Sequence, residues 1–181
     1  NFLKSNKLQL NNKFHIYEPS GEVLERYMMK DIKSIFNCEV YNRYGLAEFG
    51  IVAYQEKDQP FDMLNVLDTE VYPESLNGEL IFTGLRNRMM PLIRYKSGDL
   101  GALEEDSNKG LLISDLKGRT HDVFSVKDKV YYTGYIMDIL DHKVGNVKEF
   151  QVNLKKRPPQ LNIVLENNVN KDTHKMLIKE F

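Results

Sequence analysis

Along the first third of the chain, Val23, Leu24, Tyr27, Met28, Ile32, Ile35 and Phe36 recur at spacings of three and four residues. That period predicts an amphipathic helix. Ser20 or Gly21 with Glu22 suits its start, because negative charge is favoured near a helix N-terminus. A weak alternation over 14–17 predicts a short strand ahead of it, closed by Glu18-Pro19-Ser20-Gly21. The helix leads to a strand-like run at Val40-Tyr41 and a tight Tyr44-Gly45 turn, which together make an α/β unit. From Gly50 the pattern changes to short apolar runs with turn punctuation, as in a small barrel or sandwich. Strands are expected at 51–54, 63–72, 79–83, 89–95 and 111–113, with Pro91 near a strand start, where it is tolerated. Turn clusters are expected at 73–78 and 106–110. Beyond Arg119 the pattern restarts. Residues 123–126 and 129–132 flank Lys127-Asp128 as a predicted hairpin, and Tyr135, Ile136, Ile139 and Leu140 sit at helical spacing. Residues 150–154 and 161–165 alternate as two half-buried strands around Lys155-Lys156-Arg157-Pro158-Pro159. The expected fold class is α+β: an α/β unit with a small barrel-like β subdomain, then a small α+β module. The boundary is expected at 118–122, giving units 1–119 and 120–181. There is no internal repeat or low-complexity segment.

Length and charge narrow this picture. At 181 residues the chain can bury one good core or two small ones. A formal net charge of −1 argues against the clustered excess of Lys and Arg that nucleic acid requires. Cys38 is the one cysteine, so no internal disulfide forms and a small buried hydrophobe in a reducing, cytoplasmic setting is expected. No apolar run approaches the ~20 residues that span a bilayer, so no membrane partner is expected. The chain begins at Asn1 and stops at Phe181 in helix-like sequence, with a polar Asn/Lys-rich stretch at 1–13; it reads as a piece of a longer protein. His15, His121, His142 and His174 show no metal-ligand spacing. The 155–157 charge run reads as a solvated loop.

Three stretches carry candidate chemistry. In the run Tyr41 to Gly50, Gly45 permits backbone angles and a close ligand approach that a Cβ would obstruct. Tyr44 offers a flat ring to a planar ligand, and Glu48 offers hard oxygen to Mg2+. The plain alternative is a strand-end tyrosine in the core beside a solvated glutamate, the default state of Glu. In Arg94-Tyr95-Lys96-Ser97-Gly98-Asp99-Leu100, a fixed Asp99 carboxylate suits both hydroxyls of a ribose; the alternative is an Asp in an S-G-D turn. In Gly118-Arg119, a guanidinium can reach ribose or phosphate oxygens as a planar fork, or simply decorate a surface turn.

In this order and spacing the three stretches resemble motifs of the adenylate-forming superfamily. They look most like the phenylacetate–coenzyme A ligase branch with its capsular-polysaccharide-biosynthesis relatives. The resemblance covers nearly all of 14–165. It implies activation of a carboxylic acid by attack on the α-phosphate of ATP, with pyrophosphate released and the acyl group passed to coenzyme A or another acceptor. Glu48 and Arg119 would be catalytic, Glu48 holding Mg2+. Gly21, Glu22, Tyr44, Gly45, Asp99 and Arg119 would bind the nucleotide, with Tyr44 on adenine and Asp99 on ribose. Pro19-Ser20-Gly21-Glu22 lies where the family has a G-[AG]-E-P step, and Val23 stands at its proline. Ala47 replaces the usual hydroxyl residue of Y-G-x-[ST]-E. His121 stands where the hinge acid is usual, with Asp122 next, so either belongs to the hinge. Nothing resembles the family's S-S-G-T-T-G phosphate loop, and Lys175 and Lys179 lack the G-K context of its catalytic lysine. The implied protein is therefore the end of a large adenylation domain with most of its lid, inactive alone, whose acyl pocket is largely built elsewhere. Ala47 and His121 favour the rival reading, a binding or scaffolding module that keeps the fold without catalysis.

Overall fold

The computed structural model describes residues 14–21, 23–126, 129–140, 144, 147–156 and 159–165. Glu22, Lys127, Asp128, His142, Arg157, Pro158, His174, Lys175 and Lys179 lie outside the described residues. The chain divides into two compact units, Asn1–His121 and Asp122–Phe181.

The first unit opens with β1 (Ile16–Tyr17), α1 (Arg26–Phe36) and β2 (Glu39–Val40). β1 and β2 pair in parallel, which requires a crossover, and α1 supplies it. Leu24, Cys38 and Val40 are buried together, with Met28, Met29, Ile32 and Phe36 packed against them. The helix starts later than its apolar period suggests. Leu24 continues the period but is buried from the non-helical approach, and Glu25 caps α1 without a side-chain hydrogen bond. Gly21 sits further upstream, exposed, at φ +111°. Asn37 ends the helix in the left-handed conformation, its N–H donating to the Lys33 carbonyl.

Seven antiparallel strands follow: β3 (Arg43–Leu46), β4 (Gly50–Tyr54), β5 (Leu64–Val66), β6 (Val71–Leu76), β7 (Glu79–Gly84), β8 (Tyr95–Asp106) and β9 (Gly110–Arg119). Their order in the sheet is β3-β4-β5-β9-β8-β7-β6. On a flat sheet, β3 and β8 would stand about 19 Å apart, four strand spacings. Yet the Tyr44 hydroxyl on β3 lies 2.7 Å from Asp99 on β8. The sheet is therefore strongly curled, in the barrel-like manner expected. Its concave side holds one core of Val52, Ala53, Leu64, Val71, Leu80, Phe82 and Ile113, drawn from five strands.

Several local expectations are corrected. Tyr44-Gly45 is not a turn: both residues lie within β3, at a bulge, and the turn is Ala47–Phe49. Residues 63–72 form two strands rather than one, because the polar 68–70 stretch turns on the Leu67 carbonyl, which accepts from Glu70 and Val71. Residues 73–76 are strand, not turn. Pro73 is accommodated because β6 is an edge strand. Only Asn77-Gly78 turns, both at positive φ, as a two-residue hairpin loop prefers. The expected strand at 89–95 begins only at Tyr95. Before it, Asn87 Oδ1 accepts from the Met89 and Met90 amides, Arg94 is left-handed, and Met89, Met90 and Ile93 are exposed.

The second unit holds the hairpin β10 (Val123–Val126) and β11 (Lys129–Tyr132), the helix α2 (Thr133–Ile139), and the antiparallel pair β12 (Val147–Asn153) and β13 (Gln160–Leu165). Ile136, Ile139 and Leu140 are buried, as their spacing predicts. The described residues are mostly β, so the α+β expectation survives only with its helical share reduced to α1 and the short α2. No helix among them is long and apolar enough to cross a membrane.

Candidate functional site

The curl of the sheet brings three distant sequence stretches to one place. Asp99 lies on β8 and Arg119 directly opposite it on β9, the cross-strand position where opposite charges attract. Arg119 Nε stands 3.7 Å from Asp99 Oδ1. From β3, the Tyr44 hydroxyl donates to Asp99 Oδ2 at 2.7 Å. Asp99 is only 8% exposed, whereas the Arg119 side chain is 59% exposed. A buried carboxylate thus carries one firm neutral donor and one loose cationic partner at its rim.

Beside it, in the β3–β4 turn, Glu48 is exposed and accepts a 2.6 Å hydrogen bond from the Tyr95 hydroxyl. Phe49 from the same turn packs on Phe82 and edge-on against Tyr95, with ring centroids 6.0 and 5.8 Å away. The turn is thereby seated on β7 and β8. The hydrogen bond from Tyr95 holds the Glu48 carboxyl below its ordinary range, helped by its own backbone amide and by Arg119. The same bond raises the Tyr95 phenol. Burial pushes the Tyr44 phenol well above its usual range, and the hydrogen bond to Asp99 and its charge add to the effect. Glu48 is therefore an ionised acceptor, and Tyr44 a permanent donor, at neutral pH.

Of the residues singled out by sequence, Tyr44, Glu48, Asp99 and Arg119 converge. Gly45 adjoins them for a reason different from the expected one. Its φ is not positive, and an added Cβ would lie 2.7 Å from the Gly50 carbonyl oxygen, so the hairpin's own backbone excludes a side chain. The Tyr44 ring packs on Phe82 at 6.0 Å between centroids, within the core. Gly21 lies in the segment after β1, whose Glu18 pairs with Arg43 at 3.4 Å, next to Tyr44. His121 and Asp122 fall in the 3-10 turn Thr120–Asp122 that follows β9. Sequence reasoning missed Tyr95 and Ser97. Their signal was alternation with Asp99 along one strand, together with the Ser-x-Asp spacing at which a hydroxyl meets a backbone amide two residues on.

The donor set defines which cation would fit. Among the described residues no group of three His, Cys, Asp or Glu side chains converges on a metal position. Glu48 alone, exposed and with one oxygen engaged, suits a cation that takes most of its ligands from water and phosphate, as Mg2+ does.

No family model matches the chain. Over 119 residues, 61% of its length, it is 31% identical to Protein CapK of Staphylococcus aureus, and the match covers 26% of that protein. Among solved structures it resembles an open conformation of 2-hydroxyisobutyryl-CoA ligase in complex with 2-HIB-AMP and CoA, at TM-score 0.68 and 19% identity, over 91% of this chain and 43% of that one. It also resembles an E. coli MenE variant with bound OSB-AMS, at TM-score 0.62 and 14% identity, over 93% of this chain and 40% of the other. The chain therefore has part of the adenylate-forming ligase fold and is a distant homologue of CapK. It spans about a quarter of CapK and under half of these structures.

Proposed function

We propose that this chain supplies the ribose side of the nucleotide pocket, the hinge and most of the lid of an ATP-dependent, carboxylate-activating ligase. The observation that carries the reading is the buried Asp99 carboxylate, held by Tyr44 and capped by a displaceable Arg119. A ribose presents two hydroxyl donors, and a fixed carboxylate accepts both with charge-assisted bonds. Arg119, largely exposed and 3.7 Å from Asp99, moves aside at little cost and turns its fork toward ribose or phosphate oxygen. Tyr44, bonded to the same carboxylate, would stand next to adenine. Glu48 would be the residue to hold Mg2+, whose charge would offset that of the phosphates. These residues have little proton transfer to perform; they align groups and neutralise charge. Transfer of the acyl group to coenzyme A or another acceptor would follow a rotation of the second unit about His121 and Asp122. Cys38, free and buried, fits a reducing compartment such as the cytoplasm.

A second reading is favoured by specific features: both Asp99 oxygens already have partners, Tyr95 occupies one Glu48 oxygen, and Ala47 offers no hydroxyl. In that case the cluster is only a structural lock, and the chain is a non-catalytic module. Calorimetry with ATP and adenosine separates the two. The ligase reading predicts weak binding of both, ATP little better than adenosine, lost in Asp99→Ala. Absence of binding to the folded protein, or binding unaltered by Asp99→Ala, selects the second.

A further inference from the structure

The Asp99 carboxylate sits in the most irregular part of the sheet, and a single hydroxyl holds that irregularity together. On β7 the register runs from Glu79 to Ile81, while on β8 the partners of those two residues are Leu100 and Lys96. Two steps on β7 are thus matched by four on β8, and Ser97, Gly98 and Asp99 stand off the β7–β8 ladder as an enlarged bulge opposite Leu80. Gly98 takes φ +77° there, a conformation open to glycine at no steric cost. Such a bulge deprives both strands of ladder hydrogen bonds, and a buried unpaired backbone group is costly.

Ser97 supplies two bonds across the bulge. Its hydroxyl donates to the Leu80 carbonyl at 2.8 Å, and the same oxygen accepts from the Asp99 amide at 3.0 Å. Leu80 is fully buried, so its carbonyl has no ready access to water. The hydroxyl therefore stands in for the ladder and ties Asp99 to β7 across the bulge. That tie fixes the backbone from which the carboxylate reaches Tyr44 and Arg119.

We propose that Ser97 is the positioning residue for the Asp99 carboxylate, setting the bulge that aims it at Tyr44 and at the ligand side of the cluster. Any role of that aim in ribose binding rests on the function proposed above, but the positioning itself does not. Alanine keeps the chain length and loses both bonds, whereas threonine keeps the hydroxyl. Amide hydrogen exchange by NMR, on the whole chain without nucleotide, provides the test. Ser97→Ala should speed exchange of the Asp99 amide by about tenfold relative to amides of β4 and β5, the loss expected for one buried bond. It should also shift the Arg119 Nε resonance toward that of a variant lacking the Asp99 carboxylate, Asp99→Ala. Ser97→Thr should restore both readouts. Unchanged Asp99 exchange and an unmoved Arg119 Nε resonance in Ser97→Ala would overturn the proposal, as would failure of Ser97→Thr to rescue a change that Ser97→Ala produced. Since no nucleotide is added, a failed ribose clamp cannot mimic a failed positioning role.

Discussion

Removing one oxygen atom, in Tyr44→Phe, tests how the site is built. The substitution leaves the ring in place against Phe82 and deletes only the 2.7 Å bond to Asp99. Hydrogen bonds to charged groups contribute about 1.5–3 kcal/mol, and here the acceptor left behind is a buried carboxylate. Arg119 stands close enough to take up part of the loss, so the lower end, about 1.5–2 kcal/mol, is expected. Urea denaturation followed by circular dichroism should show that decrease with an unchanged m-value. The pH dependence supplies a second readout with a fixed sign. In the unfolded chain Tyr44 titrates near 10, and in the folded protein its phenol is raised further by burial and by Asp99. Its contribution is therefore fully present below about pH 10 and is lost as pH rises beyond that, because the unfolded state releases the proton first. Tyr44→Phe should flatten that part of the alkaline stability profile relative to wild type. A loss below about 0.5 kcal/mol, with the alkaline slopes superimposed, would refute the claim that this bond holds Asp99.

Gly45→Ala should destabilise the first unit by roughly 1–3 kcal/mol, since the new Cβ meets the Gly50 carbonyl rather than a yielding side chain; a neutral result in the same urea assay would remove the steric account. Limited proteolysis should cut within 117–122, where the chain passes between its two compact units, and leave two resistant pieces; first cleavage elsewhere would argue against a hinge there. Carboxylate-dependent exchange of labelled pyrophosphate into ATP should stay at the level of Glu48→Ala over a panel of aryl, short-chain and amino acids. The sequence holds neither the phosphate loop nor the G-K lysine, and contacts of that kind are each worth about a hundred- to a thousandfold in rate. Exchange clearly above that control would show those parts to be dispensable.

What the sequence made legible was local. The α1 period, the Asn77-Gly78 turn and the alternation in β13 each follow from neighbours within a few residues, and the structure has them; β12 alternates less cleanly, with Leu154 exposed in the turn after it. The errors lie where tertiary position overrides local pattern. Residues 73–76 look like a turn because of Pro73, yet an edge strand accepts a residue without an N–H. Met89, Met90 and Ile93 look like strand core but are exposed on a loop. In the cluster itself, Glu48, Asp99 and Arg119 were legible through motif spacing. Tyr95 and Ser97 were not, because their roles depend on the curl that sets β3 against β8 and on a bulge visible only in cross-strand register. Tyr44 was singled out by the same motif, but its bond to Asp99 spans 55 positions of sequence and has no local signature.

The central claim is that Asp99 accepts the hydroxyls of a ribose, and saturation-transfer NMR with a matched pair of nucleosides tests it most directly. Adenosine and 2′,3′-dideoxyadenosine carry the same base and differ in the two donors assigned to Asp99. Wild-type protein should bind adenosine at least about tenfold more tightly than the dideoxy compound, the difference expected from losing charge-assisted bonds. Asp99→Asn should abolish that preference while leaving the fold intact by circular dichroism. Equal affinity of wild-type protein for the two nucleosides, or a preference that survives in Asp99→Asn, would contradict the account.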